Sequence, residues 1–127
     1  MKEVKNYEWI LRIGLFVNFF VHGIFALIAK QSWISYFTSV GFSESVAVTL
    51  LPLIGIMDIS ISLFVLFKPF KIILVWATAW AFITALIRPL SGESIWEFIE
   101  RSSNWIIPLA LLAIQGFPKK VKDFFKI

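Results

Sequence analysis

Polar side chains inside long apolar stretches are the residues of this sequence with the clearest potential for chemistry. Arg12 and Asn18 lie in the first apolar stretch, and Asp58 lies in the second. Polar groups are costly inside a bilayer, so each one invites a functional interpretation. A rise of about 1.5 Å per residue puts Asp58 about 13 Å from one end of its helix, close to the depth of Asn18. We therefore predict a polar network of Arg12, Asn18 and Asp58, in which the long Arg12 side chain reaches the carboxylate.

A second group of polar residues is expected near the membrane surface at which the first apolar stretch ends. These candidate ligand-binding residues are His22, Thr84, Arg88, Glu97, Arg101 and Asn104. Haem, quinone and lipid are the ligands that such a pocket would accept. A single histidine without a second ligand or a haem-attachment motif is weak evidence for haem, and a histidine hydrogen-bonded between helices is the competing interpretation. Glu97 and Arg101 are spaced to form an ion pair with each other.

Several kinds of chemistry are excluded by composition. The absence of cysteine removes disulfides, thiol catalysis and Cys-ligated metal centres. We find no nucleophile, base and orienting group at a plausible spacing, and no cluster of metal ligands. The sequence therefore predicts no catalytic residues, no metal site and no independent enzymatic activity. Asp58 is either a structural group or one with a proton or ligand role.

The elements that position these residues follow from composition. The chain has 127 residues, of which 59% are hydrophobic and 16% are charged, and its mean hydropathy is +0.85. Such a chain requires lipid as its solvent. We predict an all-α fold in a single domain, an integral membrane four-helix bundle with an amphipathic interfacial helix before the last span. The predicted spans are about 9–29, 44–67, 71–88 and 104–117.

The segments between the spans carry their own signals. Residues 31–42 are expected to form an interfacial loop rich in aromatic residues, after which Ser43 is a suitable helix N-cap. Residues 91–103 have glutamates at helical spacing, which is typical of an amphipathic surface helix. Residues 118–127 alternate lysines with apolar residues, a pattern typical of a basic segment on an anionic leaflet.

Charge asymmetry predicts the topology. One side of the four-span arrangement carries nine basic residues, Lys2, Lys5, Arg12, Lys68, Lys71, Lys119, Lys120, Lys122 and Lys126. The other side carries three, Lys30, Arg88 and Arg101. The positive-inside rule then puts the N and C termini in the cytoplasm. Because the basic residues lie at membrane edges, nucleic acid is not an expected partner and the lipid bilayer is.

Short motifs in the first two spans resemble the DoxX-like family of small four-helix membrane proteins. They are Leu11-Arg12-Ile13-Gly14, Gly23, Lys30 and the Gly55-x-x-Asp58 pair. Thr84 to Leu90, and Glu100-Arg101 before Asn104-Trp105, are also similar to some bacterial members. The resemblance implies a bacterial cytoplasmic (inner) membrane protein that accompanies a redox system. Asp58 stands where the family more often has glutamate, so the charge is kept and the reach is shorter.

Three functions follow as hypotheses. The first is a non-catalytic subunit or accessory of a membrane complex, possibly a quinone-linked redox one, with other membrane subunits or copies of itself as partners. The second is a binding protein that holds haem, quinone or lipid in a pocket near the outer leaflet. The third is a small proton-coupled transporter that uses Asp58, which would need oligomerisation because four helices enclose little pathway.

Overall fold

The computed structural model describes residues 6–127. This part of the chain is helical and contains no strand. The helices are α1 (Asn6–Leu27), α2 (Gln31–Thr38), α3 (Glu44–Phe67), α4 (Lys71–Leu90), α5 (Ile95–Glu100) and α6 (Ser102–Gln115), followed by a 3₁₀ helix (Val121–Phe125). The predicted all-α class is confirmed. Lys2 and Lys5, which contribute to the predicted charge asymmetry, lie outside the described residues.

Three of the described helices are long and apolar enough to cross a membrane. They are α1, α3 and α4, with 22, 24 and 20 residues. A helix needs about 20 residues to span the hydrocarbon core, and α6 has 14. It begins at Ser102, inside the segment 91–103 that was predicted to be interfacial, and Pro108 lies within it. Three of the four predicted spans therefore meet the requirement of length and composition.

The region between α1 and α3 is more regular than predicted. Gln31–Thr38 forms helix α2, where an interfacial loop was expected. Ile34 is buried against Ala47 and Leu51 of α3, which explains why this short segment is helical. Ser43 is the N-cap of α3, as predicted, and its hydroxyl accepts a hydrogen bond from the Val46 amide at 3.3 Å.

Helices α1 and α3 pack closely along much of their length. Their closest approach is at Gly23 and Gly55, where a Cβ added to Gly55 would lie 2.7 Å from the Gly23 carbonyl oxygen. Small residues allow helix backbones to approach in this way in membrane proteins. The buried face of α1 is Arg12, Leu15, Phe19, Gly23 and Ala26. Gly14 lies outside that face and is exposed.

The other main helix pair is α4 with α6, whereas α3 and α4 contact each other much less. The larger apolar core joins both pairs and includes Leu15, Val65, Leu74 and Leu111. A smaller core lies where α2 covers α1 and α3. We call the end of the helices near α2 the α2 end, and the end where α3 connects to α4 the tail end. Between the two cores, the limited contact of α3 with α4 leaves space.

The C-terminal segment returns to the tail end. The Lys71 amide at the start of α4 donates a hydrogen bond to the Lys126 carbonyl at 2.8 Å. The Asp123 carboxylate accepts hydrogen bonds from the Lys119 and Lys120 amides at 3.1 and 3.0 Å. These amides lower the pKa of Asp123, because they stabilise the charged carboxylate. The basic segment 118–127 therefore has a defined structure, while its contact with an anionic leaflet stays a prediction.

Candidate functional site

Arg12 does not join the polar network that the sequence predicted. Its Nε donates to the Val65 carbonyl at 3.0 Å, and its Nη2 donates to the Leu66 carbonyl. The guanidinium carbon also lies 4.1 Å from the centre of the Trp9 ring. The last carbonyls of a helix lack partners within the helix, and a cation there is favourable. Arg12 therefore stabilises the C-terminal end of α3, and no hydrogen bond joins it to Asp58.

The contacts between α1 and α3 define the level of Asp58. Gly23 faces Gly55, and Arg12 faces Leu66. Gly23 also meets Ile59, and Gly55 also meets Leu27, so in this antiparallel register Asp58 lies near the level of residues 20–24 of α1. Along the helix axis this level is within about one or two turns of both Asn18 and His22. A direct contact of Asp58 with Asn18 stays a prediction.

A cavity of about 290 Å³ lies between α1, α2, α3 and α4. Most of its walls are apolar and aromatic side chains, including Phe19, Trp33, Leu51 and Trp80. Several residues singled out from the sequence border it: Asn18, His22, Asp58, Thr84, Arg88, Arg101 and Asn104. The structure therefore brings together members of both predicted groups. Glu97 does not border this cavity, but its carboxylate forms an ion pair with Arg101 at 2.7 Å.

Asp58 is the acidic group of this cavity. Its side chain is only 4% exposed. Its Oδ1 atom is buried and has no hydrogen-bond partner among the described residues, although the carboxyl group lies next to the Trp80 side chain. Buried polar atoms in proteins nearly always have a partner, since an unmet hydrogen bond costs about 1–3 kcal/mol. Oδ1 has almost no accessible surface, so a donor on an occupant of the cavity would reach it only after the Asp58 side chain turned toward the cavity.

His22 is oriented by two contacts. Its Nδ1 lies 2.7 Å from the Asn18 backbone carbonyl, and its ring stacks on Trp33 with centroids 5.7 Å apart. When Nδ1 carries the proton and donates to Asn18, Nε2 is available as an acceptor. His22 is the single histidine of the chain, so a pair of histidine ligands for haem is excluded within one copy. No group of three potential metal ligands occurs within residues 6–127.

A second, more polar pocket of about 360 Å³ adjoins the α2 end of the cavity. We call this pocket the mouth. Arg88 donates a hydrogen bond to the Tyr36 hydroxyl at 2.8 Å and lies over the Tyr36 ring. Burial raises the pKa of Tyr36, and the neighbouring Glu93 raises it further. Lys30, Glu100 and Arg101 also border the mouth.

Helix α2 supplies cavity-lining residues that were not among the predicted site residues. Trp33, Tyr36 and Phe37 all border the cavity. They recur at intervals of three and four residues, so they lie on one face of α2. That periodicity was the available signal, but eight residues are too few to distinguish a helix from a loop by pattern alone.

No family model, curated protein or solved structure matches this chain. The resemblance to the DoxX-like family therefore stays a prediction, supported by the residues quoted for it. The functional interpretation depends on the geometry of the site.

Proposed function

We propose that this protein spans a membrane as a four-helix bundle and binds an apolar small molecule in the cavity between α1, α2, α3 and α4. The observation that carries this proposal is the combination of apolar walls with the unpartnered Oδ1 of Asp58. Binding pockets for small molecules are commonly apolar, with a few polar groups that fix orientation. Asp58 and His22 are the groups that would do so here.

The size of the cavity supports an occupant. The volume of about 290 Å³ is close to that of small-molecule binding sites. An apolar molecule that fits the space would gain dispersion contacts with its walls and bury their apolar surface.

The fourth span is supported by the path of the chain after α4. Arg101 and Asn104 border the cavity near Arg88, at the α2 end. At the other end of α6, a Cβ added to Gly116 would lie 3.6 Å from Lys71 Nζ. The segment from Arg101 to Gly116 therefore runs beside α4 for about 22 Å of its roughly 30 Å length. We infer that α6 and its flanking residues cross the bilayer with α4.

Ligand binding is tested by purification in a mild detergent, followed by extraction and mass spectrometry of the bound molecules. The variant Thr84→Phe introduces an aromatic ring at the cavity wall, and Thr49→Phe makes the same change outside the cavity. We expect wild type and Thr49→Phe to retain a stoichiometric apolar molecule and Thr84→Phe to lose at least nine-tenths of it, on the order of 1.4 kcal/mol in binding. Equal retention by both variants, or no bound molecule in wild type, would contradict the proposal.

Orientation in the bacterial cytoplasmic membrane is tested with single cysteines, since the chain has none. Ser39→Cys reports on the α2 end and Lys122→Cys on the tail. If both termini are cytoplasmic, an impermeant maleimide labels Ser39→Cys on intact spheroplasts and Lys122→Cys only after permeabilisation. Labelling of both from outside would refute the fourth span.

The role of an accessory subunit in a quinone-linked complex is a second proposal, and it uses the same preparation. A quinone would fit the apolar cavity as an occupant. Co-purification of other membrane subunits in constant proportion would support this role. Transport coupled to Asp58 would require pH-dependent flux in liposomes that Asp58→Asn abolishes.

A further inference from the structure

The mouth of the cavity concentrates positive charge beside an apolar interior. Lys30, Arg88 and Arg101 all lie close enough to His22 to act on its ring electrostatically. Within residues 6–127, neither Lys30 nor Arg88 forms an ion pair, whereas Arg101 pairs with Glu97. Glu100 borders the mouth, and Glu93 lies beside Tyr36. Two cations at the rim of an apolar cavity are therefore without a carboxylate partner in the described structure.

Aromatic contacts hold these cations at the rim. The Tyr36 hydroxyl accepts one N–H of Arg88, which leaves the other guanidinium donors for a ligand. The Lys30 ammonium lies 4.7 Å from the centre of the Phe25 ring and 5.6 Å from that of Trp33. Both cations are thus oriented by their neighbours before a ligand arrives. Arginine and lysine in such positions bind carboxylate and phosphate groups through charge-assisted hydrogen bonds.

The mouth and the apolar cavity are adjacent and share part of their lining. His22, Trp33, Tyr36, Arg88, Arg101 and Asn104 border both of them. Along α4, the distance from Arg88 to Trp80, which borders the apolar part, is about 12 Å. A single molecule can therefore place a charged group at the rim and an apolar segment of about this length inside.

We propose that the occupant is an anionic amphiphile, with its carboxylate or phosphate head group bound at the mouth by Arg88 and Lys30 and its apolar chain in the cavity. This inference rests on the proposed function, because it assumes that an apolar segment fills the cavity. It specifies the negative charge of the head group and the residues that would select that charge. A neutral lipid, a quinone and a free oxyanion are the alternatives that the test separates.

The test uses cis-parinaric acid, a fluorescent fatty acid, and the corresponding neutral alcohol as probes. Energy transfer from tryptophan to the probe reports binding, because Trp33 and Trp80 border the cavity. We expect wild type in detergent micelles to bind the acid at least tenfold more tightly than the alcohol. Arg88→Gln and Lys30→Gln should each reduce this preference to threefold or less while binding of the alcohol is unchanged. Lys68→Gln, at the tail end, is the matched control and should retain the full preference.

Each outcome has a distinct meaning. Equal binding of acid and alcohol by wild type would overturn the anionic head group and leave the proposed function intact. Displacement of the acid by millimolar inorganic phosphate would show that the mouth binds a free oxyanion, which also overturns the amphiphile. Binding of neither probe, together with no effect of Thr84→Phe on bound molecules, would refute the proposed function itself. Arg88→Lys keeps the charge and should keep the preference, so it separates loss of charge from loss of folding.

Discussion

The contact between Gly23 and Gly55 gives the sharpest prediction about stability. A Cβ added at Gly23 would lie 2.6 Å from Ile59 Cγ1 and 3.0 Å from the Gly55 carbonyl oxygen. A Cβ at Gly55 would lie 2.7 Å from the Gly23 carbonyl oxygen and 2.8 Å from the Leu27 amide nitrogen. Ordinary contacts begin near 3.4 Å, so the two helices must separate by about 0.7 Å. Because the obstructing atoms include backbone, side-chain rotation cannot relieve the contact.

Gly14 supplies the matched control, since a Cβ added there meets no atom within 4 Å. Replacing any of these glycines with alanine gains a similar helix propensity, about 1 kcal/mol. The difference between Gly23→Ala and Gly14→Ala therefore isolates the steric cost. Overpacking costs about 1–3 kcal/mol, so we expect Gly23→Ala and Gly55→Ala to be less stable than Gly14→Ala by that amount. This corresponds to about a 5- to 150-fold difference in the folding equilibrium.

The assay is unfolding by SDS in mixed micelles, followed by circular dichroism. The double variant Gly23→Ala/Gly55→Ala adds a second criterion. Once the helices have separated to accept one methyl group, the second methyl group costs less. The loss of stability in the double variant should therefore be smaller than the sum of the losses in the two single variants. If Gly23→Ala were as stable as Gly14→Ala, the close approach of α1 and α3 would be wrong.

Three further predictions concern polar groups. Arg12→Gln should destabilise the protein by about 1.5–3 kcal/mol in the same unfolding assay, because the Val65 and Leu66 carbonyls lose a charged donor; an effect below 0.5 kcal/mol would contradict this role. Asp58→Leu should leave the ligand-free protein equally stable or more stable, by up to about 3 kcal/mol, because it removes a buried oxygen that has no partner; a marked loss would reveal a hydrogen bond absent from the described contacts. Because folding lowers the pKa of Asp123, the charged carboxylate stabilises the folded tail. This stabilisation is fully present above about pH 3.9 and is lost as the pH falls through the lowered pKa. Amide NMR of Lys119 and Lys120 should show this loss in wild type and no such transition in Asp123→Asn.

The sequence was sufficient for the elements that depend on local pattern. Long apolar stretches predicted α1, α3 and α4, with the start and end of α3 correct to the residue. Ser43 was identified as an N-cap because its side-chain chemistry acts within one turn. Residues 31–42 were harder, because a helix of eight residues is stabilised by packing against α3 and not by its own propensity.

Contacts between helices were less predictable, because they depend on rotation and register. Arg12 was expected to reach toward Asp58, but the carbonyls at the end of α3 offered nearer acceptors. The side of α1 that is buried is the one with Leu15, Phe19 and Gly23. The tight fit of Gly23 against Gly55 follows from the shape of both backbones together. One helical sequence does not contain that information.

The same packing explains why a cavity exists in so small a protein. Helix α3 packs closely on α1 at the glycine contact, and α4 packs on α6. Helices α3 and α4 therefore make few contacts with each other between the two apolar cores. Seven residues of α4 border this space, and three of them, Ala81, Thr84 and Ala85, have side chains too small to fill it. Asp58 lies in the same space without a partner for Oδ1. An occupant with an apolar body would gain dispersion contacts with these walls, and a hydrogen-bond donor on it would satisfy the Asp58 carboxylate once that side chain turned toward the cavity.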